Sequence, residues 1–203
     1  MTTQSRPGAV PSLPACIPSR GNRLTRCLGR CLLRLFGWRV EGAFPEQTKM
    51  VLIGAPHSSN WDFILGMAAM FAIGIRISFF IKHTAFKPGL RHFLRWLGGV
   101  PVNRRAPGGI IEQTAEAMAN TQRMMVLAVT PEGTRRAVKH WKTGFYRIAM
   151  ANHLPVVPVG IDNQRRVFEI GPAFELSGEQ SSDFATMQAW FQRFPRREQV
   201  STV

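Results

Sequence analysis

The sequence predicts an α/β domain built on a largely parallel sheet, and three observations carry that prediction. Short apolar runs without polar interruption recur along the chain, as strands buried on both faces require. Segments with helical spacing separate them, the order found where crossover helices join parallel strands. At 203 residues, 45% of them hydrophobic, the chain is long enough for one domain with a sizeable core.

Taken in order, residues 1–22 read as a flexible leader, because Pro and Ser dominate and no periodicity appears. From Leu24 the pattern changes: Leu24, Leu28, Cys31, Leu32 and Leu35 recur at helical spacing beside a row of Arg26, Arg30 and Arg34. Residues 23–40 are therefore expected to hold a basic amphipathic helix ending at Phe36 and Trp38. Residues 41–195 form the expected domain, and 196–203 a short tail.

Inside the domain, residues 51–55 (VLIGA) read as a buried strand, 60–71 as a helix and 77–81 (ISFFI) as a second strand. A helix over 89–97, a short strand at 100–102 and a helix over 110–122 follow. Glu112 and Glu116 in the first turns of that last helix suit the positive end of its dipole. Residues 124–129 (MMVLAV) are the next buried strand, and 143–152 a helix. Strands are expected at 156–161 and 166–170. A closing helix over 182–194 has Phe184, Met187, Trp190, Phe191 and Phe194 on one stripe. No internal repeat appears.

The formal net charge of +14 points to an anionic partner: nucleic acid, a lipid surface or a phosphorylated substrate. Half of it comes from residues 1–40, which carry Arg6, Arg20, Arg23, Arg26, Arg30, Arg34 and Arg39 and no acid. An arginine row with no interleaved carboxylate suits a helix lying in the headgroup plane of an anionic bilayer. A helix packed on the domain with a solvated basic face is the alternative. No secretory signal is visible. The longest uncharged apolar run, residues 63–75, is short for a membrane span, so any membrane contact is expected to be peripheral. Cys16, Cys27 and Cys31 show no zinc-like spacing and suit small apolar roles in a reducing compartment.

Three segments look chemical. Pro56-His57-Ser58-Ser59-Asn60-Trp61-Asp62 follows the VLIGA strand, and ligands of open α/β sheets bind beyond the carboxyl ends of strands. With His57 in the loop and Asp62 in the first helical turn, the carboxylate can fix the ring's tautomer and leave the other nitrogen to accept a proton. Ser59 and Asp62 also make a capping-box-like helix start, and the two readings are compatible. Thr130-Pro131-Glu132-Gly133-Thr134-Arg135-Arg136 follows the MMVLAV strand. There a glycine turn offers backbone N–H groups, a hydroxyl and a guanidinium, the set a phosphate calls for; an ordinary polar turn is the other reading. Gly98-Gly99-Val100-Pro101-Val102-Asn103-Arg104 would deliver Arg104 to the same rim, with ordinary surface charge as the other reading. His83, His92, His140 and His153 lack partner patterns. Lys139, Lys142 and Arg147 read first as a solvated basic face, with help in holding anionic groups as the alternative, and Trp141 as packing.

In this order the segments resemble the glycerolipid acyltransferase family, which acylates glycerol phosphate and lysophosphatidate. His57 and Asp62 match its His-x4-Asp motif, with Ser59 at the usual internal serine. Arg104 matches the arginine that ends its second motif. Pro131, Glu132, Gly133, Thr134 and Arg135 match its Phe-Pro-Glu-Gly-Thr-Arg-Ser motif. Leu154-Pro155-Val156-Val157-Pro158-Val159 matches its Pro-flanked apolar strand. The resemblance spans roughly residues 35–175. Pro56, Thr130 and Arg136 depart from the usual Asn, Phe and Ser, which weakens transfer of acceptor specificity.

The resemblance implies an O-acyltransferase of phospholipid biosynthesis that moves a fatty acyl group from acyl-CoA or acyl carrier protein to a hydroxyl of a glycerol-phosphate or lysophospholipid acceptor. His57 would be the general base and Asp62 its holder. Ser59, Arg104, Glu132, Gly133, Thr134 and Arg135 would form the acceptor site, with no metal or bound cofactor. The expected setting is a peripheral, monomeric protein at the cytoplasmic face of an anionic membrane, with no nucleic-acid partner. A thioesterase using the same His57 and Asp62, and a non-catalytic basic nucleic-acid-binding protein, are the competing readings. Leu stands in the basic helix where the second would place stacking rings.

Overall fold

The computed structural model describes residues 6–57, 59–102, 109–120, 124–134, 138 and 140–195. Seven strands form one sheet: β1 (Arg39–Glu41), β2 (Lys49–Ala55), β3 (Ile77–Lys82), β4 (Gly99–Val102), β5 (Met125–Val129), β6 (Val156–Asp162) and β7 (Val167–Ile170). Their spatial order is β1-β7-β6-β2-β5-β3-β4, and every pair is parallel except β6 with β7. The expected class, a single α/β domain with a mostly parallel sheet, is the observed one.

Among the described residues, six α-helices cover the sheet: α1 (Arg23–Leu35), α2 (Asn60–Ile73), α3 (Leu90–Leu97), α4 (Ile110–Asn120), α5 (Gly144–Ala151) and α6 (Gln180–Phe191). Right-handed crossovers decide which face each takes. The β2-to-β3 and β3-to-β4 connections advance one way along the sheet, so α2 and α3 share a face. The β4-to-β5 and β5-to-β6 connections run the other way, which puts α4 and α5 opposite. The core divides accordingly. Met50 and Leu52 of β2 pack with α1 and α2, while Val51 and Ile53 pack with α4, α5 and α6.

α1 meets α2 through a close crossing. A Cβ on Gly29 would stand 2.5 Å from the backbone nitrogen of Ala72 and 2.7 Å from the carbonyl oxygen of Ala68. Both are backbone atoms, so the helices must part. Gly29→Ala is expected to destabilise the protein by about 1–3 kcal/mol, read as a lower urea midpoint. On the opposite face, the Tyr146 hydroxyl of α5 donates to Asp183 of α6 at 2.9 Å. Burial, then the bond to that carboxylate, pushes the phenol up to about 12. Burial alone would raise the Asp183 carboxyl. Hydrogen bonds from the Ser177 hydroxyl and backbone, from Tyr146 and from Gly178 outweigh it and hold the group below its ordinary value.

Three expectations are corrected. The segment 6–22 does not behave as a flexible leader. The N–H of Gly8 donates to the Trp38 carbonyl, Val40 to Ala9, Arg20 to Gly74 and Arg76 to Pro18. Ile17 lies in the core at 2% exposure. Proline-rich composition hides such docking, because the bonds use the backbone and no periodicity records them. The boundary expected at residue 41 falls inside β1, which pairs with β7 and so belongs to the sheet. The closing helix ends at Phe191, and Phe194 reaches the core from the turn beyond it. No helix among the described residues is long and apolar enough to cross a membrane. Residues 1–5 and the expected tail, 196–203, lie outside the described residues.

Candidate active site

β2 and β5 are neighbours, yet the chain leaves β2 toward β3 on one side and leaves β5 toward β6 on the other. Such a reversal opens a crevice beyond the strand ends. His57 stands two residues past the end of β2, and Glu132 three residues past the end of β5. The crevice therefore receives both motifs.

α2 begins with a capping box. Ser59 is the N-cap, its hydroxyl accepting from the Asp62 N–H at 3.3 Å, while the Asp62 carboxylate accepts from the Ser59 N–H at 2.7 Å. The Ser59 hydroxyl also approaches Asp62 Oδ1 at 3.1 Å. These contacts aim the carboxylate back along the chain, and His57 Nδ1 lies 3.5 Å from Oδ2. The carboxylate that completes the capping box is therefore also the one that faces the ring. Asp62 is 3% exposed and the His57 side chain 18%. One partner is withdrawn from water while the ring keeps an open edge. Charge on a withdrawn carboxylate acts on its neighbour at a lower effective dielectric than in water.

The second motif joins through its acid. The Thr130–Gly133 turn closes with the Gly133 N–H donating to the Thr130 carbonyl at 3.0 Å. Gly133 takes φ +63°, a conformation glycine adopts without a Cβ penalty. Glu132, 6% exposed, turns inward and accepts the backbone N–H of His57 at 2.8 Å. This carboxylate ties the two loops together. Thr134 and Gly133 are exposed at the rim.

Lys142 reads from sequence first as part of a solvated basic face, with a part in holding anionic groups as the alternative. Its N–H donates to the Pro131 carbonyl at 2.8 Å, and its side chain lies across Gly133, where a Cβ would stand 2.7 Å from Cε. A cation thus overlies the turn from ten residues downstream, with no motif to announce it. Arg104 and Arg135, the two arginines expected here, lie outside the described residues, as do Ser58, Arg136 and Lys139. β4 ends on the same side of the sheet as β2 and β5. His92 pairs with Arg91, His153 sits in a turn at φ +50°, and Trp141 packs against Phe145, Phe184 and Phe191. Among the described residues no three His, Cys, Asp or Glu side chains gather as a metal site would need.

The model of the acyltransferase family matches residues 38–162, which include β1 through β6 and both loops. The chain belongs to the acyltransferase family. Two curated relatives, the 1-acyl-sn-glycerol-3-phosphate acyltransferases of Limnanthes alba and Limnanthes douglasii, are 27% and 26% identical to it over 146 residues. That stretch is 68% of this chain, and the chain spans about half the length of those relatives. Among solved structures, the 1-acyl-sn-glycerophosphate acyltransferase PlsC from Thermotoga maritima shares the fold. The match has a TM-score of 0.60 at 20% identity and covers 84% of this chain and 76% of that one. In this acyltransferase the family match thus takes in the sheet edge on which His57, Asp62 and Glu132 meet.

Proposed function

We propose that this acyltransferase moves a fatty acyl group from a thioester, acyl-CoA or acyl carrier protein, onto a hydroxyl of a glycerol-phosphate-type lipid acceptor, as a peripheral protein at the cytoplasmic face of a membrane. The observation that carries the reading is the His57–Asp62 pair at 3.5 Å, held on the rim of the Glu132 turn. Asp62 at Nδ1 leaves Nε2 as the basic nitrogen. Nε2 takes the acceptor's hydroxyl proton as the oxygen attacks the thioester carbonyl carbon. The tetrahedral adduct then collapses, the C–S bond breaks, and the thiolate receives the proton. A new ester and a free thiol result, with no acyl-enzyme.

The acceptor's phosphate is assigned to the exposed Gly133–Thr134 edge, with Arg135 and Arg104 supplied by motif and Lys142 by its place across the turn. Glu132 is already engaged with the His57 backbone and serves as a tie between loops. The names of the Limnanthes relatives favour lysophosphatidate as the acceptor.

The test is incubation with a labelled acyl thioester and a panel of lysophosphatidate, glycerol 3-phosphate, neutral monoacylglycerol and no acceptor, followed by lipid mass spectrometry. Label is expected in phosphatidate, with thiol release dependent on acceptor. Equal thiol release without acceptor would make the chain a thioesterase, and acylation of the neutral lipid at the same rate would remove the phosphate site.

A further inference from the structure

We infer that α1, α2 and α3 together form one bilayer-docking platform, and that α3 is as much a part of it as the N-terminal helix. The inference rests on the proposal that the acceptor is a membrane lipid, and deepens it by saying which surface meets the bilayer.

Among the described residues, eleven large hydrophobic side chains are exposed, and ten belong to these three helices and the α1 cap. On α1, Leu24, Leu28 and Leu35 line one stripe at 60–77% exposure, while Gly29 and Leu33 on the opposite side pack inward. On α2, Trp61, Phe63 and Ile64 are about half exposed. On α3, Leu90, Phe93 and Trp96 are 45–53% exposed. Apolar patches of this extent mark an interaction surface.

The three stripes are continuous. α2 lies between the other two helices, with Ala68 and Ala72 against Gly29 of α1 and Phe71 stacked on Trp96 of α3. Phe36 at the end of α1 meets Trp61 of α2 at 5.7 Å between ring centroids. Arg20 fastens the far end: its guanidinium lies over the Phe71 and Trp96 rings and bonds the Trp96 and Leu97 carbonyls.

Charge selects the occupant. No carboxylate occurs in residues 1–40 or 63–111, so the only acid on the three helices is Asp62, which is buried. Arg23, Arg30 and Arg34 border the α1 stripe, and Lys87, Arg91 and Arg95 border that of α3, all exposed. An apolar face with a purely cationic rim is what an anionic lipid surface takes, its acyl chains meeting the rings and its phosphates the guanidinium groups. The opposite helices differ: none of their described large hydrophobics stands among the exposed ones, and Arg147 there is paired with Glu112. Trp61 and Phe63 flank Asp62 in sequence, so the platform ends at the candidate active site. A lipid acceptor would then reach His57 sideways from the leaflet.

The test uses the full chain and vesicles of phosphatidylcholine and phosphatidylglycerol at 7:3. Leu90→Ser with Phe93→Ser, both clear of the Arg20 clamp, is expected to reduce co-sedimentation about ten-fold, as is Leu24→Ser with Leu28→Ser. Acyl transfer to a monomeric short-chain acceptor should be kept, which also certifies the fold. Brominated lipids should quench the tryptophan fluorescence, and Trp61→Phe and Trp96→Phe should each remove part of the quenching. Wild-type sedimentation by the α3 variant, with the α1 variant impaired, would overturn the platform while leaving the acyl-transfer reading in place. A wild-type chain that ignores vesicles and doubles its mass in solution, returning to a monomer on Phe93→Ser, would make the occupant a second copy instead. Loss of all transfer to the short-chain acceptor by wild-type protein would instead sink the functional reading.

Discussion

His57→Ala is expected to lower the acyl-transfer rate by about 1,000-fold, leaving thermal stability and vesicle binding unchanged. Removing a positioned general base costs on the order of 100- to 10,000-fold, and 1,000-fold corresponds to about 4 kcal/mol of barrier. The fold should survive for local reasons. The backbone N–H of His57, which donates to Glu132 and ties the two loops, is kept by alanine. The ring is partly open to solvent and belongs to neither hydrophobic core. The measurement is transfer rate against pH at saturating acceptor, with the melting temperature as control. A variant that keeps more than a tenth of the wild-type rate would take His57 out of the chemistry.

Much of this arrangement could be read from residues alone, and what could not has physical causes. β2, β5 and β6 are central strands buried on both faces, so their sequences are unbroken apolar runs that stand out. The two loops with chemistry follow β2 and β5 directly, so identifying the strands also placed His57 and Glu132. β1 escaped because three residues at a sheet edge, Arg39 to Glu41, carry no pattern; only pairing with a strand far along the chain makes them one. The antiparallel turn from β6 to β7 is likewise a matter of connection geometry, not of residue type.

The N-terminal helix shows a subtler gap. Its apolar stripe was legible, but Leu24, Leu28 and Leu35 face outward while Leu32 packs on the core, and Gly29, which does not continue the stripe, makes the close contact with α2. Periodicity shows that a face is apolar without saying what covers it. At the site, the tie between His57 and Glu132 was out of reach because it joins a backbone N–H to a side chain 75 residues away. The place of Lys142 across the turn was out of reach for a similar reason, since it meets the turn through folding and not through spacing.

Asp62 carries the second large effect, and its two roles can be separated. As a capping residue it accepts the Ser59 N–H at 2.7 Å; as a partner it lies 3.5 Å from the imidazole. Asparagine preserves the first role, since an amide oxygen at the Oδ2 position still accepts from Ser59 while its NH2 faces the Ser59 hydroxyl. It removes the negative charge that stabilises the imidazolium formed as the proton moves. Asp62→Asn is therefore expected to cost about 100-fold or more in rate with little change in melting temperature. Asp62→Ala should lose the same rate and also about 1 kcal/mol of stability, because the Ser59 N–H loses its acceptor and α2 its capping box. Were the residue only a cap, the order would invert: asparagine would retain nearly full activity, and alanine would lose activity only in proportion to its lost folded fraction. Rate and melting temperature measured together on the two variants decide whether this carboxylate takes part in proton transfer or merely begins a helix.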